Sequence, residues 1–351
     1  MKNLSSALFV FLLAATLQAA EETKLSPLPV AVSNNAVVIT HGKESKIFSF
    51  MGLGSKKTWD AITNRAFAMD ISTGKWTEVR SVPGVAGRLA ASAAALRDQI
   101  VLIGGYVVDG QGGETTVSDV NIYYPDENHW YRGEDTPTPV DDSVIGVYRD
   151  RYVYLVGGWS RTEPTRKVQV YDTEKNKWME ATPIPGTPVF GHAGTIVGDT
   201  IVYVDGAYKN PSGANPKYVA SGECWMGKIT KADITKIEWT KLPDHPGPAR
   251  YRIAAGASER DSRIYFSGGT DNSYNYNGTG YNGQPSEPSP VTFALNLKTG
   301  KWETINENTP DPVMDLRGLL VTHRGLVIVG GMEKGQQVTP KVAIVKTSPA
   351  K

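Results

Sequence analysis

One pattern recurs along the chain: an apolar run that ends in a glycine pair or a weaker copy of one, at intervals of about 50 to 60 residues. The clear copies are IVLIGG, YVYLVGG, IYFSGG and LVIVGG, ending at Gly105, Gly158, Gly269 and Gly331. The weaker copies are FSFMGLG and IVYVDG, ending at Gly54 and Gly206. A repeat of this length is one supersecondary unit that buries its hydrophobic face only against neighbouring units.

A second mark follows each of the first five glycine signals: a half-apolar strand, a polar turn and a tryptophan. The tryptophans are Trp76, Trp130, Trp178, Trp239 and Trp302. Each unit is therefore predicted to be a four-stranded antiparallel sheet, and radial stacking of six such sheets buries their faces and leaves only short edges. We expect the glycine pairs where a side chain would collide with the next sheet, and the tryptophans over the outer strands. The predicted fold is all-β, a six-bladed β-propeller.

The two ends of the chain are predicted to meet in one blade. After Gly331 the sequence contains one more strand, KVAIVKT, and no tryptophan strand. The missing strand is expected at the other end, because TKLSPLP at residues 23–29 aligns with TKLPDHP at residues 240–246, in the outer strand of blade four. The N-terminal strand is therefore predicted to complete blade six and to close the ring, which removes an open edge.

These glycine pairs, followed by YD-type strands and spaced tryptophans, resemble the Kelch repeat. The resemblance covers essentially all of residues 21–351 and implies a single six-bladed propeller domain. Kelch propellers serve as enzymes, sugar binders and protein-interaction platforms, so the resemblance leaves the function open.

The first 20 residues have the pattern of a secretory signal peptide: Lys2, the apolar run ALFVFLLAATL and the small-residue end Gln18-Ala19-Ala20. The run is too short to span a membrane, so we expect cleavage and a periplasmic or secreted protein. Without Lys2 the basic and acidic residues balance at 36 each, which argues against a nucleic-acid partner. Cys224 is the only cysteine in the sequence, so no intrachain disulfide is expected.

Strand alternation is expected to bring two kinds of segment to one face of the ring: the loops that follow the glycine pairs, and the segments that lead into the first strand of each blade. Charged lead-in residues occur at Arg88, Asp141, Asp142, His192, Arg250, Arg252, Asp315 and Arg317. The mouth of a ring is a common place for a ligand pocket. Alternatively, these residues are solvated loop residues that pair with one another.

Aromatic residues are expected in the loops of the same face. They are Trp59, Tyr106, Trp159 and Tyr208, joined by Tyr274 and Tyr276 within the stretch DNSYNYNGTGYNGQ at residues 271–284. Aromatic faces stack on sugar rings, and amides and hydroxyls bond to ring substituents, so a carbohydrate ligand is predicted. The stretch itself is predicted to form a rim or lid over a polar ligand, or else a mobile solvated insertion.

No cofactor or metal site is predicted. No histidine pair has zinc-ligand spacing, and no GxSxG or phosphate-binding glycine motif occurs. Copper-radical sugar oxidases share the propeller, but they need a cysteine and two histidines around the channel. Cys224 is expected next to an outer strand, and His192 alone among the histidines is expected near the channel. An enzyme of this sequence would therefore work through acid and base groups.

The stretch FMGLGSKKTW of blade one resembles the opening blade of exported bacterial sialic acid mutarotases, also called N-acetylneuraminate epimerases. That resemblance implies a cofactor-free sugar isomerase. Asp141, Asp142 and His192 are then acid or base candidates. The arginines Arg88, Arg250, Arg252 and Arg317 are candidates for holding a sugar carboxylate. The alternatives are a non-catalytic module that binds glycan or protein, and a protein scaffold.

Overall fold

A computed structural model of the protein describes residues 24–41, 45–84 and 86–347. The predicted signal peptide at residues 1–20 lies outside the described residues. The regular secondary structure of the described residues is β-strand, apart from two short 3-10 helices at Trp59–Ala61 and Lys334–Gln336. Within the described ranges, no helix has the length and apolar character needed to cross a membrane.

Blades one to three, with their hairpins, contain the first sixteen strands of the described residues. They are β1 (Ala36–Ile39), β2 (Lys46–Leu53), β3 (Ile62–Asp70), β4 (Lys75–Val79), β5 (Ser92–Ala95), β6 (Ile100–Ile103), β7 (Tyr106–Val108), β8 (Glu114–Thr116), β9 (Val120–Tyr124), β10 (His129–Arg132), β11 (Val144–Tyr148), β12 (Tyr152–Val156), β13 (Trp159–Ser160), β14 (Glu163–Pro164), β15 (Val168–Asp172) and β16 (Lys177–Ala181).

Blades four to six continue the same order. Their strands are β17 (Ala193–Val197), β18 (Thr200–Val204), β19 (Ala207–Lys209), β20 (Tyr218–Ala220), β21 (Cys224–Ile229), β22 (Ile237–Lys241), β23 (Ala254–Ser258), β24 (Arg263–Ser267), β25 (Thr292–Asn296), β26 (Lys301–Asn306), β27 (Leu320–Thr322), β28 (Gly325–Val329), β29 (Met332–Glu333), β30 (Gln337–Val338) and β31 (Val342–Val345).

Each of the first five blades is a four-stranded antiparallel sheet, for example β1-β2-β3-β4 and β17-β18-β21-β22, and blade six has the order β27-β28-β31. The first strands contact one another in a closed circle, β1 to β5, β11, β17, β23, β27 and back to β1, so they surround a central channel. The predicted six-bladed propeller is confirmed.

The hydrophobic core lies between the blades. Phe50 of blade one packs edge-on against Trp130 of blade two, with ring centroids 5.4 Å apart, and Tyr123 lies 4.8 Å from the same tryptophan. Such aromatic pairs add about 0.5–1.5 kcal/mol each to the burial of their surface. The alternating apolar residues of the strands therefore stabilise the ring blade by blade.

The glycine pairs lie where two blades approach most closely. A Cβ at Gly104 would lie 2.1 Å from the carbonyl oxygen of Val140, and one at Gly330 would lie 2.3 Å from that of Val32. Both carbonyls belong to the segment that leads into the next blade. Both glycines also have positive φ, 63° and 70°, which other residues rarely adopt. The expected reason for the glycines is confirmed.

The tryptophans recur at the same position of successive repeats, and each makes the same kind of hydrogen bond. The indole Nε1 of each donates to a main-chain carbonyl that follows the outer strand of the preceding blade. The pairs are Trp130 with Arg80 (2.8 Å), Trp178 with Glu134 (2.7 Å), Trp239 with Thr182 (3.4 Å) and Trp302 with Pro243 (2.8 Å). In each pair the acceptor lies four residues after the position of the preceding tryptophan.

The N-terminal segment takes the corresponding place after blade six. Trp76 of blade one donates to the carbonyl of Ser26, at 3.0 Å, and the main-chain nitrogen of Leu28 donates to the carbonyl of Pro340, at 2.7 Å. Leu28 is buried, with 3% of its surface exposed. The N-terminal segment therefore takes the fourth position of blade six and closes the ring, as predicted, although residues 24–32 are not in regular strand conformation and the regular strands of this blade among the described residues are β27, β28 and β31. Residues before Lys24 lie outside the described part.

Candidate functional site

Each lead-in segment pairs through a single β-bridge with the residue next to the glycine signal of its own blade. The six bridges are Ser33–Leu53, Leu89–Tyr106, Asp141–Trp159, Phe190–Ala207, Tyr251–Thr270 and Met314–Met332. The lead-in segments and the loops after the glycine signals therefore share one face, as predicted. We call this face the upper face.

The residue after each bridge adopts a left-handed backbone conformation. These six residues are Asn34 (φ 54°), Ala90 (54°), Asp142 (51°), Gly191 (62°), Arg252 (50°) and Asp315 (63°). Their main chains are linked around the channel: the nitrogen of Gly191 donates to the carbonyl of Asp142 at 3.0 Å, and that of Arg252 donates to Gly191 at 2.8 Å. This left-handed ring brings side chains from different blades together at the channel axis.

Four of the charged side chains form what we call the charge cluster: Asp142, Arg252, Asp315 and Arg317. Arg252 donates from Nη2 to Asp142 Oδ2 at 2.8 Å and from Nη1 to Asp315 Oδ1 at 2.8 Å. Arg317 Nη1 donates to Asp142 Oδ1 at 2.6 Å. All four side chains are buried, and two positive charges balance two negative ones. A buried network of this kind is costly to break, because removal of one partner leaves a charge uncompensated.

The charge cluster lies between two cavities. The lower channel, of about 1210 Å³, is lined by the first strands of the blades and by Ser143 and Ile253. The upper pocket, of about 230 Å³, opens at the upper face, and Asp142 and Arg252 line it. Because Ser143 and Ile253 are the next residues in the chain after those two, the cluster closes the passage between the cavities.

The upper pocket has an aromatic wall contributed by three blades. Trp159 contacts Phe190 with centroids 5.2 Å apart, Phe190 contacts Tyr251 at 5.4 Å, and Tyr218 contacts Tyr281 at 4.8 Å, all in edge-to-face geometry. All five of these residues line the pocket. Flat aromatic faces with a few polar groups between them are typical of small-molecule sites.

The tyrosine and asparagine stretch at residues 271–284 is an ordered part of this wall. Tyr276 and Tyr281 line the upper pocket, whereas Tyr274 is fully buried and donates from its hydroxyl to Asp315 Oδ1 at 3.1 Å. The main-chain nitrogen of Tyr281 donates to the carbonyl of Ser273 at 2.9 Å. The stretch is therefore anchored to the charge cluster, and the alternative of a solvated insertion does not hold.

Two hairpins add residues that the sequence analysis missed. Strands β7 and β8 bring Glu114 and Thr116 to the pocket, and β19 and β20 bring Lys217 and Tyr218. In blade four the predicted aromatic residue was Tyr208, but the hairpin folds back and Tyr218 lines the pocket. The turn sequence DGQGG between YVV and ETT is a hairpin signal that would have indicated the first of these pairs.

Asp141 and Asp142 are neighbours in the chain with opposite titration behaviour. Asp141 is buried and accepts a hydrogen bond from Thr116 Oγ1 at 2.8 Å. Burial, together with the adjacent charge of Asp142, raises the pKa of Asp141 well above its ordinary value. Burial would also raise the pKa of Asp142, but Arg252 and Arg317 hold it below its ordinary value. One carboxyl therefore keeps its proton while the next stays ionised.

Glu114 provides a second carboxyl with a raised pKa. It lies two residues from Thr116 on β8, so its side chain is on the same side of the strand, about 7 Å along it. Partial loss of hydration on the pocket side raises the pKa of Glu114, and Asp142 adds to this, whereas Arg252 opposes it. Two carboxyls that both hold protons more tightly than usual thus flank the pocket.

Two of the predicted arginines lie apart from the upper pocket. Arg88 and Arg250 occupy the same repeat position, one residue before the bridge, and neighbouring residues of an extended segment point to opposite sides. Arg88 donates to Asp119 Oδ2 at 2.9 Å and to Asn121 Oδ1 at 2.8 Å. Arg250 lies over the ring of Phe293, 5.2 Å from its centroid. Both side chains are buried within their own blades.

The remaining predicted residues separate into three places. Asp141, Asp142, Arg252, Tyr106, Trp159 and Tyr276 line the upper pocket, and Arg317 and Tyr274 support it from the charge cluster. His192 lines the lower channel, where its Nε2 donates to the carbonyl of Val156 at 2.8 Å and burial lowers its pKa to about 4. Trp59 is 50% exposed on the rim, against Gly110.

No metal-binding group is present among the described residues, in the sense that no three His, Cys, Asp or Glu side chains are arranged to hold an ion.

A family model described as the KLHDC2/KLHL20/DRC7 Kelch-repeats domain matches residues 2–207. The chain belongs to the Kelch-repeat family. Kelch-like protein terF of Aspergillus terreus is 27% identical over 278 residues, which is 76% of this chain and 55% of that relative. Kelch-like protein 15 of Gallus gallus is 32% identical over 119 residues, 34% of this chain and 24% of the relative. The chain thus spans about half or less of the length of these Kelch relatives.

Among solved structures, the one described as the structure of YjhT matches this Kelch propeller with a TM-score of 0.74. The match covers 93% of this chain and 98% of that one, at 18% sequence identity. At this identity the likeness shows the fold alone.

Proposed function

We propose that this Kelch propeller binds a carbohydrate in the upper pocket and interconverts its ring forms without a cofactor. The observation that carries the proposal is the pair of adjacent carboxyls, Asp141 with a raised pKa and Asp142 with a lowered one, in an aromatic-walled pocket. Paired titratable groups whose environments push their pKa values apart are a signature of acid–base sites.

The proposed reaction is mutarotation. Asp141 gives its proton to the ring oxygen of the sugar while a base removes the proton from the anomeric hydroxyl, so the ring C–O bond breaks and an open-chain carbonyl forms. Closure on the other face of the carbonyl returns both protons. Glu114 in its ionised form is the proposed base, because it flanks the pocket on the same strand as Thr116, the partner of Asp141. The ionised Asp142 is proposed to hold Arg252 and Arg317 in place beside them.

An acidic sugar of the sialic acid type is the proposed substrate. Lys217 and Arg252 line the pocket and supply positive charge for a carboxylate. All three guanidinium nitrogens of Arg252 already donate to Asp142 or Asp315. Lys217 is therefore the residue that we propose to contact the sugar carboxylate, and Arg252 contributes through its field.

We also propose that the protein works outside the cytoplasm, on the basis of the signal-peptide pattern in residues 1–20. Expression of the full chain, followed by N-terminal sequencing of the exported protein, tests this. A mature protein that still begins at Met1 would contradict it.

The test of function is proton NMR of freshly dissolved N-acetylneuraminate, with other reducing sugars in parallel. The wild type should accelerate conversion of the α to the β anomer. Asp141→Asn should lower the catalysed rate by about 100-fold or more, the range for loss of a general acid, while calorimetry still detects binding. The matched control is Asp271→Asn, an exposed carboxyl on the same face, which should retain full activity.

The outcomes separate the candidate functions. Binding of a sugar by the wild type without acceleration would identify a non-catalytic glycan-binding module, to which the aromatic wall is also suited. Neither binding nor acceleration with any sugar would overturn the carbohydrate proposal, and a search for a protein partner would take its place.

A further inference from the structure

Blade four departs from the glycine repeat at one residue. Asp205 occupies the position at which the four clear copies of the repeat have the first glycine of the pair. Its φ of 65° lies within the range of those glycines, from 61° for Gly157 to 74° for Gly268. Aspartate is one of the few residues other than glycine that adopt this conformation readily, but the repeat leaves little room for a side chain at this point. A Cβ at Gly268, for example, would lie 2.3 Å from the carbonyl of Val313.

The Asp205 side chain instead bonds to the segment that leads into blade five. Its Oδ1 is 2.7 Å from His245 Nε2, and its Oδ2 accepts a hydrogen bond from the main-chain nitrogen of Arg250 at 3.0 Å. His245 Nδ1 donates to the carbonyl of Pro246 at 2.9 Å. The carboxylate therefore holds both ends of residues 245–250, a segment whose two prolines have no N–H to donate.

The pair is deeply buried, with side-chain exposures of 2% for His245 and 0% for Asp205. The imidazole stacks on Phe293 with centroids 4.5 Å apart. Burial opposes a charged imidazole, but the Asp205 carboxylate raises the pKa of His245 above its ordinary value. A buried, charge-assisted hydrogen bond between His245 and Asp205 thus ties the glycine signal of blade four to the segment that leads into blade five.

The nearby thiol does not turn this pair into a nucleophilic site. Cys224 is fully buried at the start of β21, the third strand of blade four, and burial raises its pKa to about 12. A thiol in that environment has almost no reactive thiolate at neutral pH. Asp205 and His245 therefore hold the segment in place and do not form part of a nucleophilic site.

We propose that Asp205 is a positioning residue for the upper pocket, acting through His245 and the main chain of Arg250; this inference rests on the proposed function. Tyr251 and Arg252 follow Arg250 directly, and both bond to Asp142, Tyr251 from its hydroxyl at 3.3 Å. Movement of residue 250 therefore shifts Tyr251 and Arg252, two of the three side chains that lower the pKa of Asp142 beside Asp141; the third is Arg317.

Two variants and one control test the proposal. Asp205→Gly restores the glycine of the other blades, suits the positive φ and removes both hydrogen bonds. Asp205→Asn keeps an acceptor oxygen for the Arg250 nitrogen. Ile264→Val removes one methyl group from the hydrophobic core between blades four and five and leaves the pair intact. Each is compared with the wild type in hydrogen exchange of peptides covering residues 245–253 and in sugar kinetics.

The expected result is faster exchange in residues 245–253 and a KM raised by about tenfold in Asp205→Gly, since small displacements of positioning groups cost 10- to 100-fold. The increase should be smaller in Asp205→Asn and absent in Ile264→Val. A lower unfolding temperature with unchanged KM would show a purely structural role and would overturn the inference. If the wild type has no sugar activity, the proposed function fails, and unchanged exchange in Asp205→Gly then overturns this inference separately.

Discussion

Asp142 and Arg252 bond to each other across a blade to which neither belongs. Asp142 leads into blade three and Arg252 into blade five, yet Nε and Nη2 of the arginine lie 3.1 and 2.8 Å from the carboxylate oxygens. Blade four contributes Gly191 at the equivalent position, and a Cβ there would lie 2.1 Å from the ring of Tyr251. The absent side chain leaves the space in which the tyrosine and the ion pair meet.

Gly191→Ala should therefore destabilise the protein by more than left-handed strain alone explains. The strain costs about 1–2 kcal/mol, and the collision with Tyr251 adds about 1–3 kcal/mol. The matched control is Gly198→Ala, because Gly198 has a similar φ of 56° but no atom within 4 Å of the added Cβ. Urea unfolding of both variants checks this, and equal losses would contradict the steric argument.

Arg252→Met should cost about 3–5 kcal/mol of unfolding free energy, because it leaves Asp142 and Asp315 with part of their charge uncompensated in a buried site. Urea unfolding at pH 7 measures the loss. Arg260→Met is the control, since that side chain is 75% exposed beside Asp261 and a surface pair contributes about 0–1 kcal/mol. A loss below about 1 kcal/mol in Arg252→Met would show that the cluster contributes little.

Asp141→Asn should leave the protein as stable at pH 7 as the wild type, or more stable. Folding raises the pKa of Asp141, so the folded state favours the protonated carboxyl. The stability that this proton contributes is complete below the pKa of the unfolded chain, near 3.8, and is lost as the pH rises through the pKa of the folded state. Asparagine carries no such penalty and still accepts from Thr116. Thermal unfolding at pH 4 and pH 7 checks this: a variant that is less stable only at pH 7 would contradict the raised pKa.

His192 should make stability fall as the pH is lowered from 6.5 to 4. In the folded protein, burial lowers the pKa of His192 from 6.5 to about 4. Between pH 6.5 and pH 4 the imidazole is therefore protonated in the unfolded chain and neutral in the folded protein, which favours unfolding. The loss across the window is about 3 kcal/mol. His192→Gln keeps an N–H for the Val156 carbonyl and removes the titration, so the slope of stability against pH should flatten. Equal slopes in both proteins would be inconsistent with a neutral, buried imidazole.

The fold could be predicted from the sequence because the repeated glycines and tryptophans are required by the packing of one blade against the next. Gly104 and Gly330 occur where any other side chain would collide with the next blade. Trp76 and Trp130 lie in outer strands, and each donates a hydrogen bond to a main-chain carbonyl of the preceding blade. These requirements recur in most units, so six blades could be predicted from the spacing. The N-terminal closure was predicted from the missing last strand of blade six and from the alignment of residues 23–29 with residues 240–246.

The site was only partly predictable. Counting from the glycine signals found Asp141, Asp142 and Arg252, but it could not separate Arg250 from Arg252. The two are two residues apart and would share a side of a regular extended segment. They separate because Arg252 adopts a left-handed conformation with φ of 50°, which the sequence does not show. Glu114 and Lys217 reach the pocket through hairpins that fold back over the upper face, and their positions depend on turn geometry that the repeat does not specify.

Tyr281→Ala should weaken ligand binding without breaking the fold. Deletion of residues 273–283 would also remove Tyr274, which is buried and bonded to Asp315, so a deletion cannot separate loss of a pocket wall from loss of the charge cluster. Tyr281 contacts Tyr218 at the pocket edge. An aromatic contact of this kind with the ligand is worth roughly 0.5–1.5 kcal/mol, or about 2- to 10-fold in Kd. Tyr131→Ala is the control, an exposed tyrosine in blade two that does not line the pocket. Calorimetry with the sugar identified by NMR measures both variants. If Tyr281→Ala and Tyr131→Ala both bind with the same Kd as the wild type, Tyr281 does not contact the ligand, and the proposed role of this part of the pocket wall is wrong.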